Sequence, residues 1–368
     1  MKTVHVPVPG HAYDALFGAD VLERLPEEIE RREIGDALFV VLDENVDRLH
    51  GDRVRAALDG RFRRVVYETL PAGESAKTLE QTSRLYSRML DEGFGRDMLT
   101  VAVGGGATGD SAGFAAATFM RGVNLVHVPT TVLSMVDSSI GGKTGVNFAG
   151  AKNVVGSFHQ PKLVFADVKF LDTLPDDEID AGAGEIAKYA FIADKSFFDL
   201  LIDRHDAFFQ RDADFLIDAL SKAASVKAAV VAEDEKERGL RKLLNLGHTF
   251  GHAFESALEF RVKHGHAVAA GVVAALALSR RLGITTAETE LRLRELPLRV
   301  NIPNEIAEVD PYVALEATRL DKKNMRGATR FVLPVDIGVT LPEVEVEDDD
   351  VVEAILDMKT VLNNRQTI

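Results

Sequence analysis

Arg241, Asn245, His248 and His252 carry polar side chains at offsets of four, three and four. If residues 240–258 form one helix, that spacing sets all four on a single face. His264 and His266 follow, and upstream Glu185 and Lys188 stand three apart in another stretch of spaced apolar residues. A zinc site of two histidines and one carboxylate needs three such ligands and keeps one position open for chemistry. Glu185 with two of the four histidines meets that need. Thr249, not Glu, follows His248, so the metallopeptidase pattern H-E-x-x-H is absent. Any one of these histidines could equally be a helix cap or a core group; it is the cluster that points to a metal.

A second chemical feature is glycine-rich. Leu99–Val103 reads as an apolar strand that runs into Gly104, Gly105, Gly106, Ala107, Thr108, Gly109 and Asp110. Residues without Cβ let the backbone approach a phosphate, and a helix over Asp110–Ala117 would turn free N–H groups toward it. No acidic residue ends a strand about twenty residues later, so this is not the ordinary dinucleotide fingerprint. The ribose or adenine contact then falls to Asp43-Glu44-Asn45, or to the Gly73–Lys77 loop through Glu74 and Lys77. The stretch from Arg121 to Gln160 is rich in turn formers, hydroxyls and cations and reads as ordered loops. On residue types alone, Arg121, Lys143 and Lys152 could cradle a phosphate with Asn153 adding a hydrogen bond.

These groups need a scaffold. Short β-rich runs at 4–8, Ala37–Leu42, Val65–Tyr67, Leu99–Val103, Leu125–Val128 and Leu163–Ala166 alternate with helical patterns such as Asp20–Glu30 and Ala76–Glu92. That alternation predicts a mostly parallel sheet covered on both faces, with ligands at the carboxyl ends of its strands. From about Glu178 the pattern becomes helix after helix: Ala181–Ile192, Phe215–Val231, Leu240–Leu258 and Ala267–Leu282, with a β-like run at Thr329–Val335. The expected fold class is therefore α/β, with a nucleotide-binding domain over 1–170 and a mostly helical metal- and substrate-binding domain over 171–368. The acidic EVEVEDDD run near the C-terminus reads as a solvated edge or turn.

Composition removes several classes. The chain has 368 residues and a formal net charge of −15, which disfavours a general nucleic-acid binder. There are no cysteines, so disulfides, thiolate nucleophiles and cysteine-ligated zinc are excluded. The N-terminal MKTVHVPVPG does not read as a signal peptide, and no run is apolar enough to span a bilayer. The expectation is a cytoplasmic enzyme without membrane or nucleic-acid partners.

GGGATGDSAGF (104–114), RGVNLVHVPTTVLSMVDSSIGGKTGVN (121–147), AKNVVGSFHQP (151–161), AGEIAKY (183–189), DEKERGLRKLLNLGHTFGHAFE (234–255) and HGHAV (264–268) together resemble the 3-dehydroquinate synthase family. The resemblance runs from about residue 37 to 335, in the family's order. It implies a Rossmann-like N-terminal domain and a mostly helical metal-binding C-terminal domain, as a homodimer. It also implies NAD and Zn2+, with Co2+ as an alternative metal. By the same resemblance Glu185, His248 and His264 are the metal ligands, and His252 acts near the metal. Asp137, Lys188, Lys227, Arg241 and Asn245 contact substrate and relay protons. Arg121, Lys143, Asn153 and Lys323 (or its neighbour Lys322) hold the phosphate end. Asp43, Asn45, Glu74, Lys77, Gly105, Gly106, Asp110, Thr130, Thr131, Ser138, Lys152, Thr173 and Leu174 line NAD, which moves Lys152 from the phosphate to the nucleotide.

The implied substrate is a phosphorylated heptulosonate, 3-deoxy-D-arabino-heptulosonate 7-phosphate. Transient oxidation at C5 by NAD acidifies C6–H, phosphate leaves, the hydride returns, and an internal aldol closes the ring. Two departures are small, Ala107 and Ala187 replacing bulkier apolar residues; the one that matters is His266, which stands where the family commonly has Glu. His264 is then the ligand, and His266 supports or caps the helix that opens there. Other readings are a different sugar phosphate cyclase, which usually departs from GGKTG at 141–145, and a metal-dependent polyol dehydrogenase, whose neutral substrates need no cluster of Lys143, Lys188, Lys227 and Arg241. A third is a non-catalytic NAD-binding regulator, which needs no metal triad.

Overall fold

Residues 1–237, 239–321 and 329–365 are described by a computed structural model. The chain condenses into two units, Met1–Pro175 with Arg211–Lys236, and Asp176–Gln210 with Glu237–Ile368. The first unit therefore takes one long helix from the second half of the sequence. The strands are β1 (Lys2–Val6), β2 (Tyr13–Gly18), β3 (Ala37–Asp43), β4 (Arg64–Leu70), β5 (Leu99–Gly104), β6 (Asn124–Pro129), β7 (Lys143–Phe148), β8 (Ala151–Phe158), β9 (Leu163–Asp167), β10 (Arg330–Asp336) and β11 (Val339–Glu345). The helices that position the site are, in chain order, α1 (Leu25–Arg31), α2 (Glu44–Leu58), α3 (Leu79–Asp91), α4 (Gly106–Thr118), α5 (Asp176–Ile192), α6 (Lys195–Asp203), α7 (His205–Phe209), α8 (Ala213–Glu233), α9 (His248–Ala257) and α10 (His264–Arg281).

In the first unit seven strands run in the order β1-β2-β9-β6-β5-β3-β4, parallel throughout except for the β1–β2 pair. β3 and β5 are apolar on both faces because helices cover both. Leu38, Val40, Leu42, Val101 and Val103 pack with α1 and α2, while Phe39, Val41 and Ala102 pack with α3 and α4. The chain leaves β3 outward to β4 and returns on its other side as β5. The carboxyl ends of β3 and β5 therefore flank the crevice where such sheets bind ligands. The α8 helix packs on β1 and β2.

The structure corrects several expectations. β2 was not predicted; its YDALFG carries no continuous β-branched run. Asp20–Glu30 is not one helix but a 3₁₀ turn at Leu22–Arg24 followed by α1, with Pro26 in its first turn. The helix after the glycine turn begins at Gly106, not Asp110. The polar run is not all loop, since β7 and β8 form a hairpin within it. EVEVEDDD ends β11 and opens the C-terminal helix, where Asp348, Asp349 and Asp350 favour the positive helix end.

The second unit rests on α5, α9 and α10, with the β10–β11 hairpin at its side. Residues 240–258 are not a single helix. A 3₁₀ turn covers Leu240–Asn245, and Gly247, at φ 78°, breaks the chain before α9 starts at His248. Only His248 and His252 share a helix face; Arg241 and Asn245 reach their places from the preceding turn.

The three helices cross at glycines. A Cβ on Gly265 would stand 1.7 Å from the Ala181 carbonyl oxygen, and one on Gly184 would stand 2.1 Å from that of Gly265. One on Gly271 would meet the Gly247 carbonyl at 2.0 Å. Each contact is backbone against backbone, so no side chain can swing aside. Gly265→Ala should destabilise the protein by at least ~1–3 kcal/mol, the usual range for overpacking, read as a lower denaturant midpoint. An unchanged midpoint would show that α5 and α10 can part freely at this crossing.

Candidate metal centre and nucleotide-binding edge

Each of the three helices delivers one donor beside its glycine: Glu185 after Gly184, His248 after Gly247, His264 before Gly265. The Nε2 atoms of His248 and His264 lie 3.4 and 3.3 Å from Glu185 Oε1. Ligands about 2.0–2.1 Å from a tetrahedral ion stand about 3.3–3.4 Å apart, so the donor set fits a zinc-sized ion in both chemistry and spacing. The remaining ring nitrogens are engaged. His248 Nδ1 lies 3.2 Å from the Leu246 carbonyl, and His264 Nδ1 lies 3.0 Å from Glu255 Oε2. Both acceptors fix the proton on Nδ1 and aim the Nε2 lone pair at the common point.

The electrostatics agree. Burial, with the Lys188 ammonium next, pushes the His248 pKa down to about 3, so the ring is neutral and able to ligate. Burial also opposes charge on His264, but the facing carboxylates of Glu185 and Glu255 outweigh it and hold that pKa up to about 10. A point between those carboxylates thus attracts a cation. Lys188, itself buried, sits 2.6 Å from Glu185 Oε2.

The other predicted residues of this unit are distributed around the triad. The His252 ring is exposed, 5.6 Å centroid to centroid from His264. Arg241 is buried and Asn245 half-buried. His266 faces away from the ligand set, and its Nε2 lies 3.0 Å from Asp180 Oδ2. Lys323 and Lys322 lie outside the described residues. Sequence reasoning missed Glu255, although it lies three residues after His252 and seven after His248, on the same face of α9.

In the first unit the nucleotide candidates gather at the β3 and β5 ends. Asp43 caps α2 through Asn45 N at 2.9 Å and reaches Thr108 Oγ1 at 3.5 Å. A Cβ on Gly105 or Gly106 would meet Thr131 Cγ2 at 3.2 Å or Ser138 Oγ at 3.0 Å, so those glycines pack tightly against residues of the same set. Thr130 N donates to the Gly104 carbonyl at 3.0 Å. Lys77 Nζ bridges Asp110 Oδ2 at 2.7 Å and Asn153 Oδ1 at 2.5 Å. Burial raises the Asp110 pKa, against the pull of Lys77. Thr173 is held by His50 at 2.6 Å, and the Leu174 carbonyl accepts from Arg211 at 2.6 Å. Lys227, on α8, ion-pairs with Asp137 and donates to the Asp137 carbonyl at 2.6 Å.

The phosphate candidates separate. Lys143 opens β7 opposite Phe158, whereas Lys152 lies beside Ala151, the partner of Phe148, roughly four residues along the ladder. That is about 13 Å at ~3.3 Å per residue, so the two lysines do not form one cradle. Lys152 belongs to the end that carries Lys77 and Asn153. Arg121 is exposed on a backbone at φ 69°.

Residues 67–181 match the family model described as 3-dehydroquinate synthase N-terminal, and residues 182–324 match the one described as 3-dehydroquinate synthase C-terminal. The chain is 44% identical over 345 residues to the 3-dehydroquinate synthase of Methylococcus capsulatus, covering 93% of this chain and 95% of that protein. Among solved structures it is similar to a 2-epi-5-epi-valiolone synthase from Streptomyces hygroscopicus with NAD+ and Zn2+ bound. The TM-score there is 0.85 and the identity 28%, covering 95% of this chain and 97% of that one. It is also similar to a 2-deoxy-scyllo-inosose synthase complexed with carbaglucose-6-phosphate, NAD+ and Co2+. Here the TM-score is 0.83 and the identity 26%, covering 97% and 99%.

Removing the acceptor behind His264 tests the metal centre. Glu255→Gln should lower metal affinity about ten- to a hundredfold, the usual effect of losing a carboxylate that orients a ligating histidine, measured by chelator competition. His264→Ala should lose nearly all bound metal. Full metal retention in His264→Ala would assign the ion elsewhere.

Proposed function

The chain belongs to the 3-dehydroquinate synthase family, and on that premise we infer that it converts 3-deoxy-D-arabino-heptulosonate 7-phosphate to 3-dehydroquinate and phosphate. The observation that carries the reading is the convergence of Glu185, His248 and His264 at the spacing of a tetrahedral divalent ion. Bound groups supply what side chains cannot: Zn2+ or Co2+ polarises a substrate hydroxyl, and NAD+ accepts a hydride and returns it within one turnover.

The chain's own residues bind and orient. Glu185, His248 and His264 hold the metal. Lys188, kept in register by Glu185, supplies a buried positive charge to substrate oxygens. Lys227 fixes the Asp137 carboxylate by gripping both its side chain and its carbonyl. Asp137, Arg241, Asn245 and His252 are the proposed contacts and proton carriers for the sugar acid. Arg121, Lys143, Asn153 and Lys323 are the proposed phosphate-end group. Asp43, Asn45, Glu74, Lys77, Gly105, Gly106, Asp110, Thr130, Thr131, Ser138, Lys152, Thr173 and Leu174 are the proposed NAD set. Asp43, Asn45, Gly105, Gly106, Asp110, Thr130, Thr131 and Ser138 follow the carboxyl ends of β3, β5 and β6, and that grouping supports the assignment. The proposal keeps a division of labour between a nucleotide domain over 1–170 and a metal and substrate domain over 171–368, except that α8 (Ala213–Glu233) packs with the nucleotide-binding unit. A cytoplasmic homodimer completes the proposal. A phosphorylated metabolite and a retained dinucleotide suit that compartment, and no helix among the described residues is long and apolar enough to cross a membrane.

With the heptulosonate phosphate, catalytic NAD+ and Zn2+ or Co2+, phosphate and 3-dehydroquinate should appear together. Omitting NAD+ should stop phosphate release, and no NADH should accumulate. Stoichiometric growth of the NADH absorbance would instead identify a dehydrogenase. Arg121→Ala and Lys143→Ala should each weaken transition-state binding by roughly 1.5–3 kcal/mol, the size of a charged hydrogen bond, with bound metal unchanged. Loss of metal in either variant would take that residue out of the phosphate-end group.

A further inference from the structure

Asn147 has no part in the assignments above, yet it ties several of them together. It lies on β7 where the hairpin loses its regular pairing. Val146 pairs with Val155, but Phe148 pairs with Ala151, so Lys152, Asn153 and Val154 all face Asn147 alone. A bulge of this kind frees backbone groups from the ladder and re-aims side chains. The freed N–H of Asn147 donates to the Lys77 carbonyl at 2.9 Å. Its side-chain amide donates from Nδ2 to Glu74 Oε2 at 2.8 Å. Its Oδ1 accepts from the backbone N of Asn153 at 3.0 Å, which steadies that residue at φ 58°, a conformation side chains rarely adopt. Asn153 in turn receives Lys77 Nζ, which also holds Asp110.

We propose that Asn147 is a positioning residue that locks the Gly73–Lys77 loop to the β8 bulge through Asn153, so that Glu74 and Lys77 meet NAD+ already arranged. The proposal rests on the NAD-dependent reading above. Its physical basis is preorganisation. Glu74 and Asn153 are exposed, and Gly73 sits at φ 68°. Without a central clamp their conformational freedom would be lost at binding rather than at folding. Asn is suited to the place because one amide must donate to a carboxylate and accept from a backbone N–H at once.

The test measures NAD+ dissociation constants by calorimetry on the metal-loaded protein, with metal content and thermal midpoint recorded alongside. Asn147→Ala should bind NAD+ about tenfold more weakly, the scale of one hydrogen bond to a charged group, with full metal content. Asn147→Asp keeps the size and the acceptor but sets two carboxylates together, and it should weaken binding at least as much. Adding Glu74→Gln to Asn147→Asp restores a donor facing an acceptor. That pair should recover affinity toward the level of Glu74→Gln alone. Wild-type affinity in Asn147→Ala would overturn the proposal, as would a loss in Asn147→Asp that the paired change does not recover. Wild-type protein that binds no NAD+ would instead overturn the functional reading on which the proposal stands.

Discussion

Everything at the metal centre depends on how closely three helices approach one another. A helix carrying ordinary side chains keeps its neighbour's axis 8–10 Å away on average. At Gly184, Gly265, Gly247 and Gly271 there is no Cβ, and backbone meets backbone. The candidate metal donors Glu185, His248 and His264 stand next to Gly184, Gly247 and Gly265, so the closest points of the packing are also where their side chains converge. A carboxylate and two imidazoles cannot bridge widely spaced helices. The glycines therefore act on metal binding through distance, although none of them can touch a metal.

The same packing sets the charge balance. Glu185 is buried, and an isolated buried carboxylate is strongly disfavoured. It is made tolerable by the Lys188 ammonium on one oxygen and two imidazole nitrogens near the other. Of those imidazoles, His248 is kept neutral by burial, whereas His264 is held toward its charged form by Glu185 and Glu255. Without a metal, the Lys188 ammonium and the His264 imidazolium balance the Glu185 and Glu255 carboxylates, and a divalent ion would take the place of the His264 proton. Binding in turn requires the ligands to give up protons, so metal uptake and local protonation are coupled.

Much of this was legible in sequence. The six strands expected from apolar runs are present, five of them parallel to their neighbours and β1 antiparallel at the edge; the central ones, buried on both faces, advertise themselves as unbroken hydrophobic segments. The candidate metal donors stood out because histidines and a carboxylate clustered beyond what a core requires, and the structure brings Glu185, His248 and His264 together. What failed was the inference of one helical face from the 241–252 spacing. Arithmetic on offsets assumes an unbroken helix, and a single glycine at positive φ resets the count. The β7–β8 hairpin was missed because a two-stranded ribbon exposed along β8 needs no alternating apolar pattern. Glu255 and Asn147 were missed for a different reason. Each acts by holding another functional residue, and such roles exist only once the partners are close in space.

His264 and His266 show how a local departure can be absorbed. Residues two apart on a helix point about 200° from each other, so one crossing cannot aim both rings at the same ion. Gly265 between them packs onto Ala181 and Gly184 of α5. On that helix, Asp180 and Glu185 bracket the contact. His264 turns to the Glu185 side and joins His248; His266 turns to the Asp180 side and is buried there. Both Asp180 oxygens also accept from the Asn301 backbone N–H at 3.0 Å, so the carboxylate is held from two directions. A Glu at position 266, as the family commonly has, would bring a second carboxylate to that spot. A histidine supplies a donor instead, and Asp180 is an acceptor suited to it. The same geometry that turns His264 toward Glu185 and His248 turns His266 away: to join that donor set, His266 would have to rotate the first turn of α10 and drive Gly265 off the backbone it rests on.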